Sequence, residues 1–436
     1  MSEPIVAIVG RPNVGKSTFF NRLIGRRQAI IDDMPGVTRD RNYAISDWNG
    51  QSFMLVDTGG YVPKSSSQID AAVREQVNIA VDESDLIIFM VDSRTGITTV
   101  DEHIAQILQR VSKDIILAVN KMDNETDMLE LGQFYNLGIG EPIPVSAMTG
   151  KRTGDFLDKI TDILKKHPVE DEKENFIKLA IVGKENVGKS SLVNTFLEQN
   201  RQIVTDIPGT TRDSIDSYLK YKEHEFLLID TAGLKKKAKI KENVLFYSNL
   251  RTYRSIHRAD IVIYMIDAEN ELSRQDISVI TDAEKERKGI IIVYNKWDLI
   301  EKDQYTADKI KKEIKEKLGM LNYIPIIFTS VIEKQRLFKM LDLTINIYND
   351  RKKKIQTSEL NDYLLPIFKS TTPPAIKGRE IKINYVNQVS TEPPLFIFFS
   401  NFPELIAENY KRFIENKIRD KYGFDGVPIS FKFRKK

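Results

Sequence analysis

The sequence contains no cysteine and only four histidines among its 436 residues. It can therefore form no disulfide bond, no thiol-based active site and no cysteine-ligated zinc centre, and it offers little for a histidine-rich metal site. Long apolar runs are also missing, since no segment approaches the roughly 20 residues that a membrane-spanning helix needs. The first residues, Met1-Ser2-Glu3-Pro4, lead directly into an apolar run. We therefore expect no secretory signal, no membrane contact and a cytoplasmic protein.

Acidic residues are scarce only in the last part of the chain. Residues 351–436 carry 17 Lys and Arg against 9 Asp and Glu, whereas the other residues carry 48 against 53, so the net charge of +3 hides a basic C-terminal segment. Such a segment fits an anionic partner such as nucleic acid, although a solvated basic surface gives the same count. The length suggests two to four domains.

A phosphate-binding loop is predicted near the start of the chain. The apolar run at residues 5–9 is followed by Gly10-Arg11-Pro12-Asn13-Val14-Gly15-Lys16-Ser17 and then by a helix-like stretch that starts at Thr18. In this order of strand, loop and helix, the glycines let backbone N–H groups turn onto phosphate oxygens. The Lys16 side chain can reach the outer phosphates, and the Ser17 hydroxyl can bind a magnesium ion.

The loop occurs a second time, 173 positions later. The second copy reads Gly183-Lys184-Glu185-Asn186-Val187-Gly188-Lys189-Ser190 and precedes Ser191. Four further pairs keep nearly the same spacing: Pro35–Asp40 with Pro208–Asp213, Asp57-Thr58-Gly59-Gly60 with Asp230-Thr231-Ala232-Gly233, Asp85–Asp92 with Asp260–Asp267, and Asn120-Lys121-Met122-Asp123 with Asn295-Lys296-Trp297-Asp298. Apolar runs alternate with helix-like runs in each copy. This pattern predicts two α/β domains with doubly wound, mainly parallel sheets that bind ligands at the carboxyl ends of their strands.

We place the first of these domains at residues 1–166, an acidic linker at 167–175 and the second domain at 176–350. The remaining residues, 351–436, are predicted to form a small α+β domain. Its expected elements are a helix over Thr357–Phe368 capped by Ser358, strands over Arg379–Val389 and Leu395–Ser400, a helix over Pro403–Tyr422 and a strand over Val427–Phe433.

Each copy also carries the residues that a nucleotide switch requires. Asp57 and Asp230 follow strands and can bind magnesium through water, and Thr38 and Thr211 lie in loops where a hydroxyl can complete the metal shell. The backbone N–H groups of Gly60 and Gly233 can sense the terminal phosphate. We therefore predict catalytic roles for a lysine, a threonine and a glycine in each copy: Lys16, Thr38, Gly60, Lys189, Thr211 and Gly233.

The Asn-Lys-x-Asp sequences indicate guanine as the base. The Asp123 carboxylate can accept two N–H bonds from guanine, and adenine offers no such pair, so ATP would leave a buried charge unpaired. Asp298 is expected to do the same in the second copy. Ser146-Ala147 can place a backbone N–H on the guanine carbonyl oxygen, and Ser330-Val331 takes this place in the second copy, where we expect the valine to crowd the base.

With both sets of motifs in order and a basic C-terminal segment, the chain resembles the tandem-GTPase ribosome-assembly factors called Der or EngA. The resemblance covers essentially the whole chain. It implies a GTP hydrolase with GTP and GDP as substrate and product, a KH-like C-terminal domain and a role in maturing the large ribosomal subunit together with its rRNA. Resemblance to potassium-activated GTPases also implies that Asn13 and Asn186 bind K⁺, unless each asparagine only braces its loop.

The chain departs from the usual GTPase and KH motifs at several positions. Many GTPases place a water-orienting Gln after the Asp-x-x-Gly motif, and this chain has Tyr61 and Leu234 there, so we expect slow or assisted turnover. The sequence Gly423-Phe424-Asp425-Gly426 has the form of the KH backbone clamp but precedes the last strand, and we interpret it as a turn. RNA binding would then depend on basic side chains, namely those of Lys411, Arg412, Lys417, Arg419, Arg434, Lys435 and Lys436. A monomeric protein is expected. The alternatives are a tRNA-modification GTPase and a protein-binding signalling GTPase.

Overall fold

The computed structural model describes residues 4–24, 43–58, 77–78, 80–81, 84–124, 126–165, 176–199, 216–231, 244–301, 303–376 and 378–435. The chain forms two compact units, residues 1–172 and residues 173–436. We call them the first unit and the second unit. None of the helices in these ranges combines the length and the apolar character that crossing a bilayer demands.

The first unit contains a six-stranded sheet. Its strands are β1 (Ile5–Val9), β2 (Tyr43–Trp48), β3 (Gln51–Asp57), β4 (Leu86–Asp92), β5 (Asp114–Asn120) and β6 (Pro142–Pro144). They lie in the order β2-β3-β1-β4-β5-β6, and only the β2–β3 pair is antiparallel. Every residue of β1 and β4 is buried, as in a sheet covered on both faces.

Helices α1 (Lys16–Ile24), α2 (Thr99–Leu108) and α3 (Thr153–Lys165) cover this sheet. The alternation of side chains along β1 decides which helix they meet. Val6 and Ile8 pack in one core with the apolar sides of α1 and α3. Ala7 and Val9 point to the opposite face, where they pack with α2. A 3-10 stretch, Thr126–Leu137, contributes Phe134 to that second core.

The second unit repeats this sheet. Its strands are β7 (Ile177–Gly183), β8 (Ser217–Tyr221), β9 (His224–Ile229), β10 (Ile261–Asp267), β11 (Gly289–Asn295) and β12 (Ile326–Phe328), in the order β12-β11-β10-β7-β9-β8. The order and the single antiparallel pair match those of the first unit. The helices are α4 (Lys189–Gln199), α5 (Val244–Arg258), α6 (Arg274–Lys285), α7 (Thr306–Leu318) and α8 (Leu337–Lys352). The predicted fold class is confirmed.

The C-terminal part of the second unit has the predicted α-β-β-α-β order. It consists of α9 (Thr357–Ser370), β13 (Ile383–Ser390), β14 (Leu395–Ser400), α10 (Glu408–Tyr422) and β15 (Ser430–Lys435). Strand β14 lies in the middle of the sheet, antiparallel to β13 and parallel to β15. Its residues Phe396 and Phe398 are fully buried and pack against α9 and α10 in one core.

Several predicted bounds in this part differ from the observed ones. Strand β13 starts only at Ile383, because Arg379 forms backbone hydrogen bonds with Ile376 instead. Helix α10 starts at Glu408, since Pro403–Leu405 forms a separate 3-10 turn that ends in extended backbone. The last strand starts at Ser430, two residues beyond Pro428, which has no N–H to donate. Helix α9 begins after Gln356, so Ser358 lies inside the helix and does not cap it.

The predicted turn Gly423–Gly426 attaches this C-terminal part to the preceding sheet. The Ile290 N–H donates to the Gly426 carbonyl oxygen at 2.8 Å, and the Gly426 N–H donates to the Tyr323 carbonyl oxygen at 3.0 Å. The Arg419 guanidinium stacks 3.7 Å from the centre of the Tyr323 ring. Gly426 has a φ of +70°, and a Cβ there would lie 2.6 Å from the Ile290 carbonyl oxygen. The backbone therefore approaches too closely for any residue but glycine.

Candidate functional site

Two glycines shape each phosphate loop. Gly10 follows β1 with a φ of +151°, and a Cβ there would lie 2.3 Å from the Met90 carbonyl oxygen. Gly15 has a φ of +99°, and its Cβ would lie 2.3 Å from Asn120 Nδ2. Gly183 and Gly188 repeat both contacts in the second unit, at 2.2 Å and 2.4 Å from Met265 and Asn295. Both loops therefore pack tightly between the ends of two neighbouring strands.

The predicted phosphate-binding lysines lie inside these loops. Lys16 Nζ donates to the carbonyl oxygens of Gly10 and Arg11, both at 2.8 Å. Burial lowers the pKa of Lys16 from 10.5 to about 8, and nearby Arg11 adds to this effect while the carboxylates of Asp57 and Asp101 oppose it. An arriving phosphate would supply the negative charge that a buried ammonium needs.

Lys189 has the matching position in the second unit. Its Nζ donates to the carbonyl oxygens of Gly183 at 2.7 Å and of Lys184 at 2.5 Å. Burial lowers its pKa too, and the negative charge of Glu185 opposes that shift. Glu185 is exposed. The negative charge of Glu185 therefore lies near enough to the second phosphate loop to act on Lys189.

A buried carboxylate braces each phosphate loop from the start of the next helix. Arg11 Nε donates to Asp101 Oδ2 at 3.1 Å, and Asp101 forms a capping box with Thr98 at the N-terminus of α2. In the second unit Lys184 Nζ donates to Asp276 Oδ2 at 2.9 Å, and Asp276 forms a capping box with Ser273 at the N-terminus of α6. Sequence reasoning missed these aspartates. The pattern that could have indicated them is Thr-x-x-Asp in the first copy and Ser-x-x-Asp in the second, each before an apolar run.

The two braces differ in one hydrogen bond. Tyr264 in the second unit donates from its hydroxyl to Asp276 Oδ1 at 2.8 Å. Burial opposes ionisation of Asp276, but hydrogen bonds from Ser273, Lys184 and Tyr264 hold its pKa below the usual range. Phe89 stands at the matching position of β4, and Asp101 Oδ1 is buried without a partner among the described residues.

A magnesium site is indicated where α1 meets the end of β3. Ser17 Oγ donates to Asp57 Oδ2 at 2.5 Å, so a hydroxyl and a carboxylate oxygen converge at the phosphate loop. Such oxygens are the ligands that Mg²⁺ prefers, and it usually takes only one or two from the protein. The described residues contain no group of three or more acidic or histidine side chains suited to a metal.

The second unit places Ser190 and Asp230 at the matching positions of α4 and the end of β9. Thr58 lies beside Asp57 and donates from its hydroxyl to the Ile8 carbonyl oxygen at 2.8 Å, and Thr231 contacts Ser217. The hydroxyls of these two predicted nucleotide contacts therefore bind within the fold, Thr58 to the backbone and Thr231 to a side chain. Six predicted site residues lie outside the described residues, as do Tyr61 and Leu234; the six are Thr38, Gly59, Gly60, Thr211, Ala232 and Gly233.

The asparagine of each base motif joins the phosphate loop to the second base loop. Asn120 is buried, donates from Nδ2 to the Val14 carbonyl oxygen at 2.8 Å and accepts from the Ala147 N–H at 2.9 Å. Asn295 makes the same pair of bonds, to Val187 at 2.9 Å and from Val331 at 3.1 Å. Each asparagine therefore fixes the positions of both loops.

The Val331 side chain lies in the hydrophobic core and is 5% exposed. It packs with apolar residues of the second unit, as the buried Ala147 does in the first. The expected crowding of the base by this valine is therefore not supported by its position. Its backbone N–H occupies the same place as that of Ala147.

The lysine of each base motif stands at a left-handed backbone position, with φ values of +69° at Lys121 and +63° at Lys296. Lys121 Nζ donates to Asp92 Oδ2 at 2.5 Å, and Lys296 Nζ donates to Asp267 Oδ2 at 2.5 Å. Asp92 and Asp267 end the neighbouring strands β4 and β10. Sequence reasoning noted these aspartates as part of the repeat but gave them no role, and here they orient the lysines.

The two aspartates that are predicted to recognise the base have different surroundings. In the first unit Asp123 accepts from Arg94 at 2.6 Å and from the Ser146 hydroxyl at 2.6 Å. In the second unit Asp298 Oδ1 is buried and has no partner among the described residues. Ser330 Oγ accepts from the Glu333 N–H at 3.1 Å. Sequence reasoning missed Arg94, and nothing in the motif alone indicated it.

The predicted potassium ligands Asn13 and Asn186 have φ values of +66° and +62°. Asparagine tolerates this left-handed conformation better than most residues, so both asparagines have a conformational role whether or not they bind an ion. Their side chains are exposed at the outer edge of each loop. The neighbouring predicted contacts Pro12, Thr18 and Ser191 belong to the same loops and helix starts, with Thr18 and Ser191 exposed.

The comparisons with known proteins agree with this geometry. A family model described as 50S ribosome-binding GTPase matches residues 5–121 and again residues 178–296. A model described as the KH-domain-like, C-terminal domain of EngA bacterial GTPase enzymes matches residues 354–434. Among solved structures, a probable GTP-binding protein engB aligns with 37% of this chain and 99% of its own at 21% identity, and its TM-score of 0.29 is too low to support an argument.

Curated relatives match along their full length. The GTPase Der of Flavobacterium johnsoniae is 48% identical over 437 residues, which cover all of both chains. The GTPase Der of Chloroherpeton thalassium is 48% identical over 438 residues, and that of Clostridium kluyveri is 46% identical over 436 residues, again with full coverage. These similarities and the duplicated site show that the chain belongs to the GTPase Der family, whose members hydrolyse GTP and carry two P-loop GTPase domains before a KH-like domain.

Proposed function

We propose that the chain acts in ribosome biogenesis, in the maturation of the large subunit, and that GTP controls its docking on ribosomal RNA. The observation that carries this proposal is the attachment of the KH-like domain to the second GTPase domain. Gly426 bonds to Ile290, at the start of β11, and to Tyr323, just before β12. These strands lead to the base motif at Asn295 and to Ser330-Val331. A change at the second nucleotide site therefore has a short, rigid route to the proposed RNA-binding domain.

The charge of the KH-like domain supports an anionic partner, and the contacts narrow the basic residues that can bind it. Arg412, Arg434 and Lys435 are exposed. Arg419 instead donates to Glu415 and to the carbonyl oxygens of Phe424 and Val427, so its guanidinium stabilises the domain itself. Lys411 and Lys417 pair with acids of their own helix, Glu408 and Asp420. Lys436 lies outside the described residues.

We propose that each nucleotide site selects guanine through its aspartate and binds the phosphates through its loop. Lys16 and Lys189 would meet the outer phosphates, while Ser17 with Asp57 and Ser190 with Asp230 would bind magnesium. When bound, the metal would neutralise charge on the phosphates. The described residues place no side-chain base at either site, so hydrolysis would depend on positioning and electrostatic stabilisation.

The test is cosedimentation of the full chain with purified large-subunit particles in GDP, GTP and a non-hydrolysable GTP analogue, over about 0.05 to 0.3 M salt. We expect binding in the GTP state that weakens as salt rises. The double variant Arg434→Glu with Lys435→Glu should lose binding. A matched control, Lys312→Glu with Lys315→Glu, makes the same charge change on exposed positions of α7 in the same unit. Binding that ignores the nucleotide, or that both variants weaken equally, would contradict the proposal.

We further propose that K⁺ assists hydrolysis through Asn13 and Asn186. The discriminating variant is Asn13→Gly with Asn186→Gly, because glycine accepts the positive φ but removes the carboxamide. We expect faster turnover in potassium than in sodium for the natural chain, and equal rates for the variant. If the variant keeps its preference for potassium, the asparagines only brace their loops.

A further inference from the structure

We propose that Arg94 lowers the affinity of the first site for guanine nucleotides by competing for the Asp123 carboxylate, and that the second site has no such competitor. The inference rests on the proposed role of Asp123 in base recognition. Arg94 lies outside every motif that defines the site. Its side chain would make the two sites of the chain differ in their affinity for guanine nucleotides.

The backbone places Arg94 and Glu269 at equivalent points of the two units. The Arg94 N–H donates to Asp92 Oδ1 at 3.0 Å, just after β4. The Glu269 N–H donates to Asp267 Oδ1 at 3.1 Å, just after β10. Both residues are exposed. The turns are therefore alike, and the charge of the side chain is what differs.

That charge acts on the base-recognising aspartate. Arg94 Nη2 lies 2.6 Å from Asp123 Oδ2, and the Ser146 hydroxyl lies 2.6 Å from Oδ1, so both carboxylate oxygens already have donors. At the second site the matching residue is an acid that cannot donate, and Asp298 Oδ1 is buried without a partner in the described part of the chain. The second carboxylate therefore has no competing side-chain donor on Oδ1 among the described residues, whereas both oxygens of Asp123 have one.

The size of the effect follows from exposure. The Arg94 side chain is 66% exposed and that of Asp123 is 18% exposed, so solvent screens the pair. Exposed ion pairs stabilise proteins only weakly, and breaking one would change affinity by about two- to fivefold. Removing a cation near an anionic ligand normally weakens binding. Competition therefore predicts a change of the opposite sign, which makes the test decisive.

The first experiment measures GDP binding to the full chain in an Asp298→Asn background, in which the second site no longer prefers guanine and GDP reports the first site. We expect Arg94→Ala to bind GDP about two- to fivefold more tightly. The matched control is Arg110→Ala, which removes an exposed positive charge from the same unit. It should leave affinity unchanged or slightly weaker. Unchanged or weaker binding by Arg94→Ala would overturn the proposal.

A second experiment separates this proposal from the role of Asp123. Asp123→Asn should make the first site prefer xanthosine diphosphate, and there Arg94→Ala should have no effect, because an amide carries no charge for Arg94 to pair with. Failure of that switch in preference would refute base recognition by Asp123 itself. The reverse graft, Glu269→Arg in an Asp123→Asn background, should weaken GDP binding at the second site by a similar factor. An unchanged second-site affinity would contradict the competition.

Discussion

Replacing Gly15 by alanine tests how closely the phosphate loop depends on Asn120. The new methyl group would lie 2.3 Å from Asn120 Nδ2, and the residue would have to keep a φ of +99°. The position of a Cβ is fixed by the backbone that carries it, so the methyl group cannot turn away. The amide must therefore shift, and its hydrogen bond to the Val14 carbonyl oxygen breaks. Both the loop and its partner strand β5 lose a fixed contact.

The loss in free energy of unfolding has two parts. Forcing a residue with a Cβ into the left-handed region costs about 1–2 kcal/mol. Leaving the buried Val14 carbonyl oxygen without a partner costs a further 1–3 kcal/mol or so. Gly15→Ala should therefore destabilise the first unit by about 2–5 kcal/mol, a large fraction of the stability of a domain. Gly140→Ala isolates the first part, since Gly140 has a φ of +108° and nothing lies within 4 Å of its Cβ position.

The chain provides its own reporter for this measurement. It has two tryptophans, Trp48 in the first unit and Trp297 in the second. In a Trp297→Phe background, fluorescence during urea unfolding follows Trp48 alone, which avoids treating a chain of several domains as one transition. We expect a much larger drop in the midpoint for Gly15→Ala than for Gly140→Ala. Equal drops would refute the reasoning, because strain alone would then explain both. GDP binding at the first site, measured in an Asp298→Asn background, should be lost only in Gly15→Ala.

Three further outcomes follow from the structure. Tyr264→Phe should destabilise the second unit by about 1–3 kcal/mol in urea unfolding, because it leaves the buried Asp276 Oδ1 unpaired. Phe89→Tyr should leave the stability of the first unit unchanged or raise it, since the new hydroxyl offers Asp101 Oδ1 a donor. GDP binding should raise the pKa of Lys16 above its value of about 8, so affinity at the first site is full below that pH and falls as pH rises through it. In an Asp298→Asn background, where GDP reports the first site, calorimetry in buffers of different ionisation enthalpy should show proton uptake that Lys16→Met abolishes. Gly426→Val should expose the Ile290 amide to hydrogen exchange, because its Cβ would lie 2.6 Å from the Ile290 carbonyl oxygen, while Gly378→Val, at a φ of +71° with open space, should not.

The fold was predictable from the sequence because its signals are local and occur twice. The apolar runs of β4 and β11 and the glycines of the phosphate loops each indicate their structure without knowledge of distant residues. Strand β14 was predicted with its observed bounds for the same reason, since six apolar or small residues stand between clear turns. The predicted start of α10 at Pro403 was wrong, because proline favours a helix start. Only tertiary packing shows that Pro403–Leu405 forms a separate 3-10 turn and that the helix begins at Glu408.

The candidate site was less predictable wherever it depends on contacts between distant residues. Asn120 was assigned to the base motif, but its bonds to Val14 and Ala147 join three separate loops. The contact of Arg94 with Asp123 spans 29 positions and occurs in one copy only, so neither the motif nor the repeat predicts it. The inward orientation of Val331 likewise depends on a core that residue type alone does not reveal.

The contact between Gly426 and Ile290 also has a consequence for synthesis of the chain. The two residues lie about 135 positions apart, and translation proceeds at about 5–20 residues per second, so Gly426 is made on the order of ten seconds after Ile290. During that interval β11 lacks the hydrogen bond at its first end, and the surface that receives Phe424 and Val427 stays uncovered. We expect chains arrested before residue 423 to keep this surface available to chaperones. The second GTPase domain would then finish folding only when residues 423–427 emerge.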